Sequence, residues 1–161
     1  APITGRGEKG FIIMVGGTEE DFREAEPVLN IVGYKVVHVG PLGYGQLLKL
    51  VNQFILAGKM AVYAEAAAMA RKLDLNPESI VSILEFGDAE WVVHRRFKVP
   101  GGQLLNLHTK DLEYLSELIE ERGIYAPLTK LVTEVFRETR SRSERDWAQS
   151  AILTHWEEAM K

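Results

Sequence analysis

An almost uninterrupted apolar stretch from Leu47 to Leu73, rich in alanine, constrains the fold more than any other feature of the sequence. Its charged residues are few: Lys49, Lys59, Glu65, Arg71 and Lys72. A helix that is apolar on nearly all faces is packed by neighbours on several sides. The stretch therefore predicts one long central helix, whose alanines let other helices approach closely.

A glycine-rich turn from Gly40 to Gly45 opens this helix, and a small polar patch follows it. Lys49, Asn52 and Gln53 have the i, i+3, i+4 spacing that places side chains on one helix face. A lysine on an otherwise apolar helix is costly unless it has partners or a function. Lys49 could simply extend to solvent from the helix start, but the apolar surroundings make it the first catalytic candidate.

Composition narrows the classes of function. The formal net charge of −4 gives no indication of a nucleic-acid or anionic-membrane partner, and the absence of cysteine excludes disulfides and thiolate chemistry. The four histidines predict no metal site, since His108-x-x-Asp111 is the only spacing that could bring two ligands together. With no signal peptide, and with polar groups in the apolar helix that argue against a membrane span, we expect a cytoplasmic protein.

The chain divides at Gly40 into two predicted domains, 1–39 and 40–161. The first has β-branched strand patterns at Phe11 to Val15 and Tyr34 to Val39, separated by a helix that begins after Thr18 and ends near Ala25, before Pro27. Everything after Gly40 indicates helices. Beyond the long helix, these are expected near 77–86, 110–122, 127–142 and 145–160, with an irregular segment at 87–102.

Four segments, in order, resemble motifs of the β-hydroxyacid dehydrogenase family, which includes 3-hydroxyisobutyrate dehydrogenases and, more distantly, 6-phosphogluconate dehydrogenase. They are Ala1-Pro2-Ile3-Thr4-Gly5, similar to the substrate loop; Gly10 to Gly17, similar to the strand after it; Gly40-x-x-Gly-x-Gly-x-x-x-Lys49-x-x-Asn52, leading into the alanine-rich helix; and Lys110-Asp111-Leu112. The resemblance runs from Ala1 to about Asp146.

The resemblance implies a mainly α fold: a helical domain like the C-terminal domain of 6-phosphogluconate dehydrogenase, preceded by a β-α-β remnant of a Rossmann domain. It implies NAD(P)-dependent oxidation of a small β-hydroxyacid, or reduction of a semialdehyde. Lys49 would be the acid/base. Thr4, Gly5, Asn52 and Gln53 would bind substrate, and Lys110 and Asp111 would bind the cofactor. Self-association as a homodimer or homotetramer is also implied.

The sequence departs from the family pattern at Thr4, Arg6 and Gln53, where serine, glycine and asparagine are usual. Arg6 could bind a substrate carboxylate or be a solvated loop residue. No Gly-x-Gly-x-x-Gly lies between a predicted strand and a predicted helix. We therefore expect this chain to be the C-terminal part of a longer enzyme whose N-terminal domain binds most of the NAD or NADP. The alternative is a non-catalytic helical oligomerisation domain, and the isolated chain is expected to be inactive.

Overall fold

A small sheet followed by helices makes up the computed structural model, which describes residues 1–5, 10–76, 78–84, 87–99, 103–144 and 146–161. The strands are β1 (Ile3–Thr4), β2 (Phe11–Gly16) and β3 (Gly33–Gly40). The helices are α1 (Glu19–Val32), α2 (Tyr44–Lys72), α3 (Glu78–Leu84), α4 (Gly87–Val93), α5 (Leu105–Glu121), α6 (Pro127–Arg142) and α7 (Leu153–Ala159), with a 3₁₀ turn at Gln149–Ile152. The mainly helical fold class is confirmed.

The chain forms two compact units, Ala1–Asn52 and Gln53–Lys161, which divide within α2. In the N-terminal unit, β2 and β3 pair in parallel and α1 connects them, so the predicted β-α-β arrangement is present. The sequence did not indicate β1, which pairs with β2 in antiparallel register. The division into domains at Gly40 stays a prediction.

Helix α1 differs from its predicted length. Its start is a capping box: the Thr18 hydroxyl accepts from the Asp21 N–H, and the Asp21 carboxylate accepts from the Thr18 N–H. The expected end near Ala25 is wrong, because the helix continues through Pro27 to Val32. Pro27 lies on an exposed turn, where solvent can satisfy the carbonyl group that loses its donor.

In the C-terminal unit, the α2 residues from Gln53 onward form the centre of the core, as predicted. Ala57, Ala64 and Ala67 are fully buried, and Met60 is nearly so. Larger side chains from the other helices surround this alanine surface: Val92, Leu105, Leu112, Phe136 and Ile152. Close approach of the helices follows from the small side chains on α2.

The other helices depart from prediction at several ends. Helix α5 begins five residues earlier than the Lys110 expected, and α4 occupies part of the segment expected to be irregular. Helix α6 begins at Pro127 as predicted. The predicted last helix is a 3₁₀ turn followed by α7, and the Leu105 N–H bonds the Trp147 carbonyl just before that turn. Arg145, Pro77 and 100–102 lie outside the described residues.

Helix α2 is, among the described residues, long and apolar enough by length and composition to cross a membrane. The polar groups of α2 therefore do not by themselves exclude a membrane span, contrary to the argument from the sequence. Core helices pass the same test, and the buried face of Ala57, Met60 and Ala64 accounts for part of the apolar character of α2. The absence of a membrane partner remains a prediction.

Candidate active site

Two glycines bring the start of α2 directly against the end of β2. A Cβ atom added at Gly16 would lie 2.7 Å from the Pro41 carbonyl oxygen, and one added at Gly45 would collide with the Met14 carbonyl oxygen. The Tyr44 N–H also bonds the Pro41 carbonyl at 3.1 Å. Sterics therefore explain the glycines at this turn. With larger residues there, the first turn of α2, the helix that bears Lys49, could not approach the strand so closely.

Lys49 lines an open pocket of about 690 Å³ within the N-terminal unit. The other lining residues are Ala1, Pro2, Ile3, Gly16, Leu42, Gly43, Gly45 and Gln46. Gln46 precedes Lys49 by one helical turn, so both polar side chains lie on the same face of α2. Sequence reasoning missed Gln46, although its i, i+3 spacing to Lys49 was a usable signal.

Thr4 and Asn52, both predicted to bind substrate, are joined by a hydrogen bond. Asn52 Nδ2 donates to Thr4 Oγ1 at 3.1 Å across a partly buried contact. Because the Thr4 oxygen accepts this bond, its own hydrogen can be donated elsewhere. Gly5 follows β1 with a φ of +82°, a conformation that favours glycine. Arg6 lies outside the described residues.

Gln53 has different partners from those of its neighbour Asn52. Its side chain is 7% exposed, and Nε2 donates to Asp111 Oδ2 at 3.1 Å within the C-terminal unit. Asp111 is itself buried, and its Oδ1 lies 3.7 Å from Lys110 Nζ. The Lys110 side chain is half-exposed. The predicted residues Gln53, Lys110 and Asp111 are therefore brought together, with the lysine at the surface and the other two behind it.

His108 is a buried polar residue in the same cluster. The sequence analysis assigned it no role in the site. Its Nε2 lies 2.8 Å from the Gln53 carbonyl oxygen, and its Nδ1 lies 2.6 Å from Gln149 Oε1. The His108-x-x-Asp111 spacing was noted in the sequence, and it does put both side chains on one face of α5. What it forms is a hydrogen-bonded network that joins α2, α5 and the 3₁₀ turn.

Burial shifts the pKa of this ring. Desolvation lowers the pKa of His108, while the bonds to Gln53 and Gln149 and the negative charge of Asp111 oppose the shift. A carbonyl oxygen only accepts, so Nε2 carries the proton. Nδ1 of the neutral ring then has no hydrogen and needs a donor. Rotating the side-chain amide of Gln149 by 180° exchanges its oxygen and nitrogen and places an N–H group at Nδ1.

The described residues fit part of a dinucleotide and not all of it. Gly5, Gly7 and Gly10 have the Gly-x-Gly-x-x-Gly spacing in the sequence, but a strand, β2, follows Gly10. No helix N-terminus is therefore presented to a pyrophosphate there. Lys110 fits better, since a half-exposed ammonium suits an anionic or carbonyl group. No cluster of three or more potential metal ligands occurs among the described residues.

Comparison with known proteins agrees with these motifs. Residues 43–156 match the family described as NAD-binding of NADP-dependent 3-hydroxyisobutyrate dehydrogenase. The chain is 30% identical to 2-(hydroxymethyl)glutarate dehydrogenase of Eubacterium barkeri, over 98% of this chain and 56% of that protein. It is 32% identical to a probable 3-hydroxyisobutyrate dehydrogenase of Mycobacterium bovis, over 84% of this chain and 52% of that protein. It thus spans little more than half the length of these relatives.

Solved structures show the same fold. The 3-hydroxyisobutyrate dehydrogenase of Mycobacterium tuberculosis, determined with L-serine, matches with a TM-score of 0.80 and 26% identity, over 96% of this chain and 59% of that one. The corresponding enzyme of Salmonella typhimurium matches with a TM-score of 0.81 at 18% identity, over 96% of this chain and 58% of that one. Because the family model described as NAD-binding matches residues 43–156, this chain belongs to the 3-hydroxyisobutyrate dehydrogenase family.

Proposed function

We propose that this protein is part of an NAD(P)-dependent oxidoreductase that transfers hydride between the cofactor and a small β-hydroxyacid or semialdehyde, similar to 3-hydroxyisobutyrate. The observation that carries the proposal is Lys49 in an open pocket of the N-terminal unit. A cation there, one turn from Asn52 on the same helix, suits a substrate that is an anion bearing a hydroxyl group.

Lys49 is the proposed acid/base. A nicotinamide, when bound, supplies the two-electron chemistry by accepting or giving hydride at the substrate carbon. When the substrate is oxidised, its hydroxyl proton passes to the Lys49 amine; in reduction, the ammonium returns a proton to the carbonyl oxygen. Lys49 thus moves one proton at one substrate oxygen, and the carbon skeleton is unchanged.

Thr4, Gly5 and Asn52 are proposed to hold the substrate carboxylate and hydroxyl. The Asn52–Thr4 bond supports this role, because it fixes the threonine hydroxyl and leaves its hydrogen available to a carboxylate oxygen. Gly5 would contribute a main-chain donor. Gln53 is also proposed for this group, and its bond to Asp111 means that it would have to exchange partners to reach the substrate.

Lys110 and Asp111 are proposed to serve the cofactor. Lys110 has the exposure needed to reach a bound anion, while Asp111 is buried and accepts from Gln53. A division of roles follows, in which Lys110 contacts NAD or NADP and Asp111 holds the ammonium in place. Most of the contacts to the cofactor are proposed to come from the part of the relatives' length that this chain does not cover.

The alternative is a non-catalytic module that self-associates through its helices. The exposed apolar side chains of α2 favour self-association, as a homodimer or homotetramer, whether or not the chain also carries an active site. We propose a cytoplasmic location and no nucleic-acid or membrane partner, on the composition alone.

The decisive experiment compares the 161-residue chain with the longer, complete enzyme of which we propose it is a part. Both are assayed with NAD and NADP against a panel of small hydroxyacids and semialdehydes, by absorbance of the reduced nicotinamide. We expect turnover of at least one 3-hydroxyisobutyrate-like compound by the longer protein and none by the isolated chain. A longer protein that folds, binds either cofactor and turns over no member of the panel would contradict the proposal.

A further inference from the structure

We propose that His108 is a positioning residue for the cofactor: it holds Gln53 in place and, through Gln53 and Asp111, fixes the ammonium group of Lys110. The inference rests on the cofactor role proposed for Lys110 and deepens it. His108 is fully buried, so its ring cannot itself contact a bound cofactor. Any effect of His108 on the cofactor therefore has to pass through the side chains around it.

The His108 ring is held in one orientation by three other elements of the C-terminal unit. Its Nε2 lies 2.8 Å from the backbone oxygen of Gln53 on α2, and its Nδ1 lies 2.6 Å from the amide of Gln149 in the 3₁₀ turn. The Phe136 ring, on α6, packs against it at 5.1 Å between ring centres, with 67° between the two planes. Because both nitrogens are engaged, the ring cannot rotate without losing a hydrogen bond, and it is a rigid support for Gln53.

Gln53 contacts α5 through two different groups. Its backbone oxygen lies beside His108 Nε2, and its side-chain Nε2 donates to Asp111 Oδ2 at 3.1 Å. His108 and Asp111 are one helical turn apart on α5, so the two contacts are neighbours on one face of that helix. A shift of Gln53 relative to α5 would disturb both contacts. The His108 contact therefore restrains the amide from which Asp111 accepts.

The Asp111 carboxylate extends this restraint to Lys110. One of its oxygens accepts from Gln53, and the other lies 3.7 Å from Lys110 Nζ. The ammonium also lies 5.8 Å from the centre of the Tyr114 ring, one turn further along α5. The carboxylate and the ring together set the position of the ammonium at the surface. Loss of the Gln53 amide should change the orientation of the carboxylate, and the position of the ammonium with it.

A role in packing alone would not require these side chains to be polar. His108, Gln53, Asp111 and Gln149 are all buried, and burial of polar and charged groups costs free energy. Well-packed apolar side chains of similar volume often stabilise a protein as much as a buried charged network does, or more. What the polar network provides is a fixed geometry, and it leads to the half-exposed cation of Lys110.

The test measures the dissociation constants of NAD and NADP for the longer enzyme by fluorescence titration, without substrate. Lys110→Ala should raise the dissociation constant about tenfold, since it removes a charged contact. His108→Leu removes both ring contacts at similar side-chain volume and should raise the constant about fivefold. His108→Gln keeps a donor for the Gln53 carbonyl and should restore most of the affinity.

Thr109→Val is the matched control for a loss of stability. Thr109 is as deeply buried on the same helix, and its hydroxyl donates to the Leu105 carbonyl at 2.7 Å, outside the network. This substitution should lower the melting temperature and leave cofactor affinity unchanged. Gln149→Met removes one ring contact at similar side-chain length. It should weaken cofactor binding by a smaller factor than His108→Leu, and it tests the same network if His108→Leu does not fold.

A double-variant cycle separates positioning from general destabilisation. If His108 acts through Lys110, His108→Leu should change the cofactor dissociation constant little in an enzyme that already carries Lys110→Ala. The proposal would be overturned by an equal effect of His108→Leu with and without Lys110, by no larger effect than that of Thr109→Val, or by a failure of His108→Gln to restore affinity. Each of these results would leave the cofactor role of Lys110 intact. An unchanged affinity in Lys110→Ala would overturn that role as well.

Discussion

The side-chain amide of Gln53 donates a hydrogen bond to Asp111 at 3.1 Å and is almost fully buried. The preceding residue, Asn52, donates instead to Thr4. Two amides that are adjacent in the sequence thus take part in separate polar clusters, one in each compact unit. This separation favours Asn52 over Gln53 as a ligand in the proposed substrate site. The Gln53 amide would first have to leave the buried carboxylate of Asp111.

Removing the Asn52–Thr4 bond should weaken substrate binding in the longer enzyme. We expect Thr4→Val and Asn52→Ala each to raise the substrate KM about tenfold. The first removes the hydroxyl proposed to donate to the substrate carboxylate, and the second removes the bond that orients this hydroxyl. In the double variant, the rise in the substrate KM should be smaller than the product of the two single rises, because both changes remove the same bond. Thr4→Ser keeps the hydroxyl and is the control. Additive effects in the double variant would show that the bond has no part in binding.

Lys110→Ala should mainly raise the KM for NAD or NADP and leave kcat nearly unchanged. The physical reason is that a half-exposed ammonium can reach a bound anion without taking part in the proton transfer proposed for Lys49. Lys130→Ala, which removes a similarly exposed lysine on α6 that pairs with Glu120, is the matched control. A large loss of kcat with an unchanged cofactor KM would contradict this division of roles.

The sequence predicted the parts of the fold that depend on periodicity over many residues. The apolar alanine-rich stretch determined α2, and the strand–helix–strand order determined the β-α-β arrangement. Helix ends were less certain because they depend on tertiary contacts: α5 begins at Leu105, where the N–H bonds the carbonyl of Trp147, more than forty positions away. Pro27 misled the prediction because an exposed helix tolerates it.

The candidate site was predictable where residues share a helix and unpredictable where they meet from afar. The spacing of Lys49, Asn52 and Gln53 gave their common helix, but not the partners that distinguish them, Thr4 and Asp111. His108 and Gln149 lie 41 residues apart, and no local pattern connects them. Burial of a histidine is likewise a property of the packed core, so the lowered pKa could not be inferred from sequence.

Acidification should destabilise the chain through His108. The ordinary histidine pKa is 6.5, and burial lowers the pKa of His108 in the folded chain. Below that ordinary value the unfolded chain binds more protons than the folded one, so the free energy of unfolding falls as pH drops toward the folded pKa. His108→Gln keeps a donor for the Gln53 carbonyl and does not titrate, and it should lose less stability between about pH 8 and about pH 5. Urea unfolding measures this, with the exposed His94→Gln as control. An equal loss in His108→Gln and wild type would rule out His108 as the source.

Lys49→Ala in the longer enzyme should lower kcat by about a hundredfold or more, the usual contribution of an acid/base group. Cofactor affinity and thermal stability should change little, because Lys49 is only partly buried and lines an open pocket. Lys72→Ala, which removes an exposed lysine at the other end of the same helix, controls for the loss of a positive charge from α2. Steady-state kinetics, cofactor titration and calorimetry give the three quantities. Retention of more than about a tenth of the wild-type kcat would mean that another group moves the proton. A loss of activity that a loss of cofactor binding fully explained would mean that Lys49 acts in binding instead.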